Sequence, residues 1–320
     1  MLIRFVQLII LCMLLTSCGH RMGSSPHPYC PEKTPHATET RQVGSFSDID
    51  IRGRFNVSLH SGYSKPKIIL KGAKTDLLNV FVSNVDGKLT INAGNGYPKC
   101  GQITVIVQGY HFNRFEYHGT GVVKGTKLNL QHLDLVLDNQ GSTILGGNVG
   151  LRYLKIQGAG TVDISGISGK QVRMDLGGQG KIKLKGMADI ASLTMKDKAW
   201  LSYYWVKSES LTVNGFDESY IQLAGIVDKL HVKLCDKSRF NGRYLRANRA
   251  FVKTFNHSLA EIAVVDRQHT LASDSSDIHF FNLPDMRTDF LAFDGAVLDM
   301  RDLKLPFIQQ YDRYNKYTQM

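Results

Sequence analysis

Lys181, Lys183, Trp200, Tyr220 and Arg239 are the residues whose types and spacing best suit a ligand surface. If the segments that carry them stack in register, Trp200 and Tyr220 become neighbours. Lys181 and Arg239 then flank them, with Lys183 alongside. Outward aromatics between cations suit sugar-ring stacking and recognition of an anionic glycan. Trp205 and Tyr204 lie just beyond. The same pattern also fits an aromatic ladder that is ordinary cross-strand packing. Sugar-cleaving chemistry needs something else, a close pair of carboxylates or a basic residue beside acids. The column Thr161, Lys181, Trp200, Tyr220, Arg239, Leu259, Asp277 holds no acidic pair. Neither does Asp163, Lys183, Ser202, Gln222, Asn241, Glu261, His279. The chain has no Ser/His/Asp spacing, phosphate loop or metal motif, so no cofactor is expected and the expected role is non-enzymatic. A carbohydrate-active lyase or hydrolase is the alternative, and an architectural assembly factor of the envelope is another.

These columns exist only if the chain repeats, and it does. A short unit recurs from Gly121 onward, as in residues 158–166 (GAGTVDISG) and 178–186 (GQGKIKLKG). Its third residue is small: Gly121, Gly141, Gly160, Gly180, Ala199, Ser219, Ser238, Ser258, Ser276 and Gly295. The steps between them are 18–20 residues. On either side apolar residues alternate, as in Val162/Ile164, Ile182/Leu184 and Leu201/Tyr203, and this marks half-buried strands. Two positions before the small residue stands a turn former, such as Gly158, Asp197, Asp236 or Asn256. Gly, Asn and Asp tolerate the left-handed backbone of a tight corner. One such unit cannot bury its apolar side alone, but stacked units can. The expected fold is all-β, a right-handed parallel β-helix of about ten rungs with period 19–20 over residues 111–300. An antiparallel sandwich or propeller would show hairpin signals and a less constant period. The corner Asp and Asn residues read as turn chemistry, and a metal-binding column is the sharper alternative.

The N-terminus gives a compartment. Arg4 precedes an apolar run from Phe5 to Leu15 that is interrupted by Gln7. The run is too short to span a bilayer and suits the core of a secretory signal. It ends in Leu15, Thr16, Ser17 and Cys18, which resembles the bacterial lipobox. That resemblance implies cleavage of residues 1–17 and acylation of Cys18, including a palmitate-type chain, so the chain is expected to be held on a membrane by lipid. Gly19 follows in place of an Asp that would retain the protein at the inner membrane, which favours the outer membrane without fixing the face. Residues 18–42, rich in Pro, Ser, Thr and His, read as a flexible tether. In an oxidising compartment Cys30 and Cys100, both in loop-like sequence, are the favoured disulfide, leaving Cys235 as a free, partly packed thiol.

The composition agrees. The 320 residues carry a formal charge of +11, with 30 Gly against 8 Pro. Such a charge attracts lipopolysaccharide, anionic glycans or phospholipid head groups, and in an envelope protein nucleic acid is not an expected partner.

Residues 43–110 differ from the repeat and read as a β-rich N-terminal region. Two alternating strands carry Phe46, Ile49, Ile51, Gly53, Phe55, Val57, Leu59 and Gly62. After them come a short turn at Asp76, Leu77 and Leu78, then a hairpin closing at Asp86 and Gly87. With Gly119, Gly121, Gly158 and Gly160, this layout resembles the head GIN domain family of adhesin-like envelope proteins over roughly residues 43–190. The resemblance implies a β-helical envelope domain, often lipid-anchored. The rungs beyond 190, with Asp and Ser in place of Gly, depart from it. Residues 301–320 break the repeat, and Phe307, Tyr311 and Tyr314 fall at helical spacing, as expected of a cap over the open end of a coil.

Overall fold

The computed structural model describes residues 30, 34–94, 96–281 and 286–301. The expected signal sequence, Cys18 and the expected cap from residue 302 lie outside the described residues. The strands are β1 (His36–Gln42), β2 (Asp48–Gly53), β3 (Phe55–His60) and β4 (Lys67–Ala73), then a short helix α1 (Lys74–Leu77). The chain continues through β5 (Val80–Val85), β6 (Lys88–Ala93), β7 (Ile103–Gln108) and β8 (Arg114–Gly119). Long strands follow: β9 (Val123–Asn139), β10 (Ser142–Gln157), β11 (Thr161–Leu176), β12 (Lys181–Met195) and β13 (Trp200–Gly215). After β14 (Tyr220–Leu234), β15 (Arg239–Thr254) and β16 (Leu259–Ala272) come the shorter β17 (Asp277–Phe281), β18 (Arg287–Ala292) and β19 (Val297–Arg301).

All of them join one 19-stranded sheet. From β9 to β16 each strand bends around one turn of the coil and pairs in parallel with the next. The result is a β-solenoid of about 9 turns, close to the ten rungs expected. Equivalent apolar residues stack inside it. Val162, Ile182, Leu201, Ile221, Phe240, Ala260 and Ile278 form one inner column, each at most 4% exposed. Each aliphatic side chain buried this way stabilises the fold by about 1.5–3 kcal/mol. A parallel strand cannot do this alone, because its inner face is completed only by the turns above and below.

The first part of the chain is more closely woven into the coil than its sequence suggests. β2 lies between β6 and β8, parallel to both. β3 lies in the same way between β7 and β9. The chain therefore builds the second turn first, adds the outermost turn with β6 and β7, and returns on the other side at β8. Antiparallel strands close this end: β5 on β6, β4 on β7 and β1 on β4. The hairpin turn falls at Asp86 and Gly87, which have φ values of 50° and 78°.

β1 corrects the expected tether, which does not run unbroken to residue 42. His36–Gln42 is a strand with no buried residue. A strand at a sheet edge has little apolar surface to hide, so it carries no hydrophobic alternation, and polar side chains there deter pairing with other chains. Arg41, steadied by an ion pair to Glu39 of the same strand at 3.0 Å, anchors it by donating a hydrogen bond to the Val80 carbonyl at 2.8 Å.

The corners follow simple rules. Asp197, Asp217 and Asp236 have φ values of 61°, 57° and 64°. Their carboxylates accept backbone N–H bonds from the turn before: from Gly178 to Asp197 at 2.7 Å, and from Asp197 to Asp217 at 2.9 Å. This column is a hydrogen-bonded turn ladder.

One buried charge sits on the outer side of β2. Asp50 is 3% exposed and pairs with Arg52 at 3.0 Å and Lys88 at 3.2 Å. Burial pushes its carboxyl up, but the hydrogen bonds and charges of Arg52 and Lys88 outweigh burial and hold it below the usual carboxylate range. A carboxyl depressed in the folded state stabilises above its unfolded pKa, and that contribution is lost as pH falls through the folded value. Asp50→Asn is therefore expected to cost about 1–3 kcal/mol at neutral pH and much less in strong acid. Urea midpoints measured at both pH values check this, and a loss independent of pH would contradict it.

Candidate functional site

The ladder positions lie at the start of each long strand, just past the corner. Alternation sends Ile182 and Leu184 inward and leaves Lys181, Lys183 and Lys185 exposed. Register aligns Lys181 with Trp200, Trp200 with Tyr220, and Tyr220 with Arg239. The rings of Trp200 and Tyr220 stack at a centroid distance of 5.9 Å with only 2° between their planes. The Lys181 ammonium lies 4.9 Å from the Trp200 ring centroid. Asn241 donates a hydrogen bond to the Tyr220 hydroxyl at 3.2 Å. The structure thus brings Lys181, Trp200 and Tyr220 into contact. It sets Arg239 in register beside Tyr220, and Lys183 two residues from Lys181, opposite Ser202.

The geometry also limits how a sugar could use this site. Lys181 comes from the turn before Trp200 and Tyr220 from the turn after, so both faces of the indole are taken. Trp200 and Tyr220 are half-buried. What remains is a strip of ring edges with ammonium, guanidinium and amide groups beside it. Such a strip can hydrogen-bond hydroxyl and carboxylate groups of a chain laid along it, while the stacked rings keep it stiff. Tyr204, on the same face, accepts a hydrogen bond from Gln222 at 3.4 Å. Trp205 sits in a bulge with φ of 75° and is 52% exposed.

Around the bend, sequence reasoning missed a cleft of about 460 Å³ lined by Lys170, Asp189, Lys207, Glu209, Asp228 and Arg246, among others. Its residues come from segments where the ladder register shifts, so no fixed offset points to them. Among the described residues, no group of three or more His, Cys, Asp or Glu side chains could hold a metal ion. Cys30 and Cys100 are each disulfide-bonded, and Cys235 is the free cysteine among the described residues. Burial pushes the Cys235 thiol up, with Lys233 acting the other way and Asp236 adding to it. Cys100 sits in a loop fixed by the buried Asp76, whose carboxylate accepts the N–H groups of Lys99 at 3.1 Å and Cys100 at 2.7 Å. No described helix is long and apolar enough to cross a membrane.

Fold and ladder together define a β-solenoid that displays outward side chains in rigid, regular rows. The family model described as "Putative auto-transporter adhesin, head GIN domain" matches residues 45–215, and the chain belongs to that family. Solved structures with a similar outline include a protein titled a putative adhesin from Parabacteroides merdae, at 12% identity and TM-score 0.43, covering 84% of this chain and 96% of that one. Another, titled a putative lipid binding protein, is from Parabacteroides distasonis, at 10% identity and TM-score 0.46, covering 83% and 96%. A third, titled a putative adhesin, is from Bacteroides fragilis, at 14% identity and TM-score 0.39, covering 85% and 98%. No curated protein matches the chain in sequence.

Proposed function

We propose that this protein is a non-enzymatic lipoprotein of the outer membrane, anchored through acylated Cys18, whose solenoid presents a binding face to a glycan or another polymer of the envelope. The observation that carries this reading is the stack of Lys181, Trp200 and Tyr220, held in line with Arg239 on the outward side of successive turns. Its membership of an adhesin-type family supports a surface-presenting role. The lipobox-like sequence before Cys18 supports the anchor, and the charge of +11 supports an acidic partner such as lipopolysaccharide.

A glycan array that includes lipopolysaccharide tests this on the purified full chain. Selective binding is expected. In a Trp200→Ala/Lys181→Ala protein it should weaken by about thirtyfold, because a ring edge and a cation contact together supply about 2 kcal/mol. Undiminished binding by the variant, or no binding by the intact chain, would contradict the proposal.

A further inference from the structure

A second row of charge lies on the other side of the bend and is independent of the ladder. Lys229, Arg249, Arg267 and Arg287 stand opposite one another on β14, β15, β16 and β18. All four are exposed. Parallel strands lie ~4.8 Å apart, so the row extends roughly 14 Å along the coil. Like charges set directly opposite on neighbouring strands work against folding. A surface serving only solubility would alternate its signs here, as the outer side of β8 and β9 does, where Arg114 faces Asp134.

Compensation is sparse. Arg249 pairs with Asp266 at 3.4 Å. Among the described residues, Lys229, Arg267 and Arg287 have no ion-pair partner. The neighbouring Asp228 accepts a hydrogen bond from Asn248 at 2.9 Å. Two positions further along the strands comes a second row of His231, Phe251, His269 and Asp289. Phe251 is 41% exposed, its ring 6.2 Å from that of His231 and 4.9 Å from the Lys253 ammonium. Asp289 lies 2.9 Å from His269. Lys233 and Lys253 form a third row two positions on again. The face is therefore a single row of four cations, bordered by an exposed aromatic ring and followed by Lys233 and Lys253.

We propose that this strip binds an acidic polysaccharide lying along the coil, with uronate-type carboxylates meeting Lys229, Arg249, Arg267 and Arg287 in turn. Arginine's planar fork grips a carboxylate with two parallel hydrogen bonds, which suits a row so rich in Arg. Phe251 gives one sugar ring an apolar contact. A straight row one side chain wide fits an extended chain with one charge per sugar. The backbone of a nucleic acid duplex winds away from such a row after a few phosphates.

The test is a binding titration of the purified full chain with polygalacturonate, with neutral dextran and a DNA duplex as comparison probes. Polygalacturonate should bind, dextran should not, and added salt should weaken binding steeply. Arg249→Gln/Arg267→Gln should weaken binding by roughly tenfold or more, as expected for two lost charge-assisted contacts. Arg267→Lys should lose part of the affinity, because an ammonium keeps the charge but not the forked pair of hydrogen bonds, and the thermal midpoint of the Gln variant should not fall, because repulsion is relieved. If that midpoint does fall, Lys229→Gln/Arg287→Gln, at the two ends of the same row, must show the same loss of binding. The Trp200→Ala/Lys181→Ala protein should bind polygalacturonate as the wild type does, which keeps this test separate from that of the ladder. No binding, equal binding by the Gln variants, or equal affinity for the duplex would overturn the proposal. Loss of binding in the ladder variant alone would also overturn it, by placing the acidic glycan on Trp200.

Discussion

Gly121→Ala is expected to destabilise the fold by at least about 3 kcal/mol. A Cβ at this position would lie 1.7 Å from the Phe55 carbonyl oxygen and 2.4 Å from its carbon. Both are backbone atoms, so no rotamer change relieves the overlap. Three further bonds hold the corner where it is. The Tyr117 hydroxyl, fully buried, donates to the Phe55 carbonyl at 2.8 Å and accepts the Gly121 N–H at 2.9 Å. The Val57 N–H donates to the Val122 carbonyl at 2.8 Å. The effect should be graded along the column. At Gly180 the nearest atom to an added Cβ is the Gly160 oxygen at 2.8 Å, and the next corner already carries a buried Ala199. Gly180→Ala should cost about 1 kcal/mol. Urea unfolding of both variants measures this, and equal small losses would mean that the corner yields in a way the packing does not allow.

Cys18→Ala is expected to abolish acylation. The thiol is the only group at that position able to carry a thioether-linked lipid, and in the lipobox pattern cleavage before residue 18 depends on it. In cells fed labelled palmitate, the wild type should carry label and lack residues 1–17. The variant should carry none and accumulate as a precursor that retains them. The physical consequence is large, because each buried CH₂ of an acyl chain contributes about 0.8 kcal/mol to membrane binding. An unlabelled wild type, or a mature N-terminus elsewhere, would remove the anchor from this account.

What the sequence made legible was whatever repeats at a constant offset. Trp200 and Tyr220 each follow the small corner residue directly, so their stacking could be read from spacing alone, and the structure keeps that register. The hairpin at Asp86 and Gly87 was legible from its turn chemistry. The basic strip was not. Lys229, Arg249, Arg267 and Arg287 lie nine to eleven residues past their corner residues, because bulges between the corner and the strip differ from turn to turn. A projection at fixed offset scatters them. The interleaving of β2 and β3 between later strands was equally hidden, since local alternation says which residues face inward and nothing about which strand lies alongside. β1 was missed for the opposite reason: as an exposed edge strand it has no apolar residue pattern to detect. The closed faces of Trp200 also needed coordinates, because spacing gives neighbours but not the approach of the Lys181 ammonium.

The chain has two tryptophans, Trp200 and Trp205, and both lie at or beside the ladder. Its intrinsic fluorescence therefore reports on the proposed site itself. The most direct measurement is a titration of the full-length Trp205→Phe protein, in which Trp200 is the remaining indole, with the best glycan from the array. The ladder reading predicts a saturable change in Trp200 emission that follows binding and disappears when Lys181→Ala is added. Binding that saturates with no change in Trp200 emission would place the ligand elsewhere on the solenoid and leave the ladder as packing.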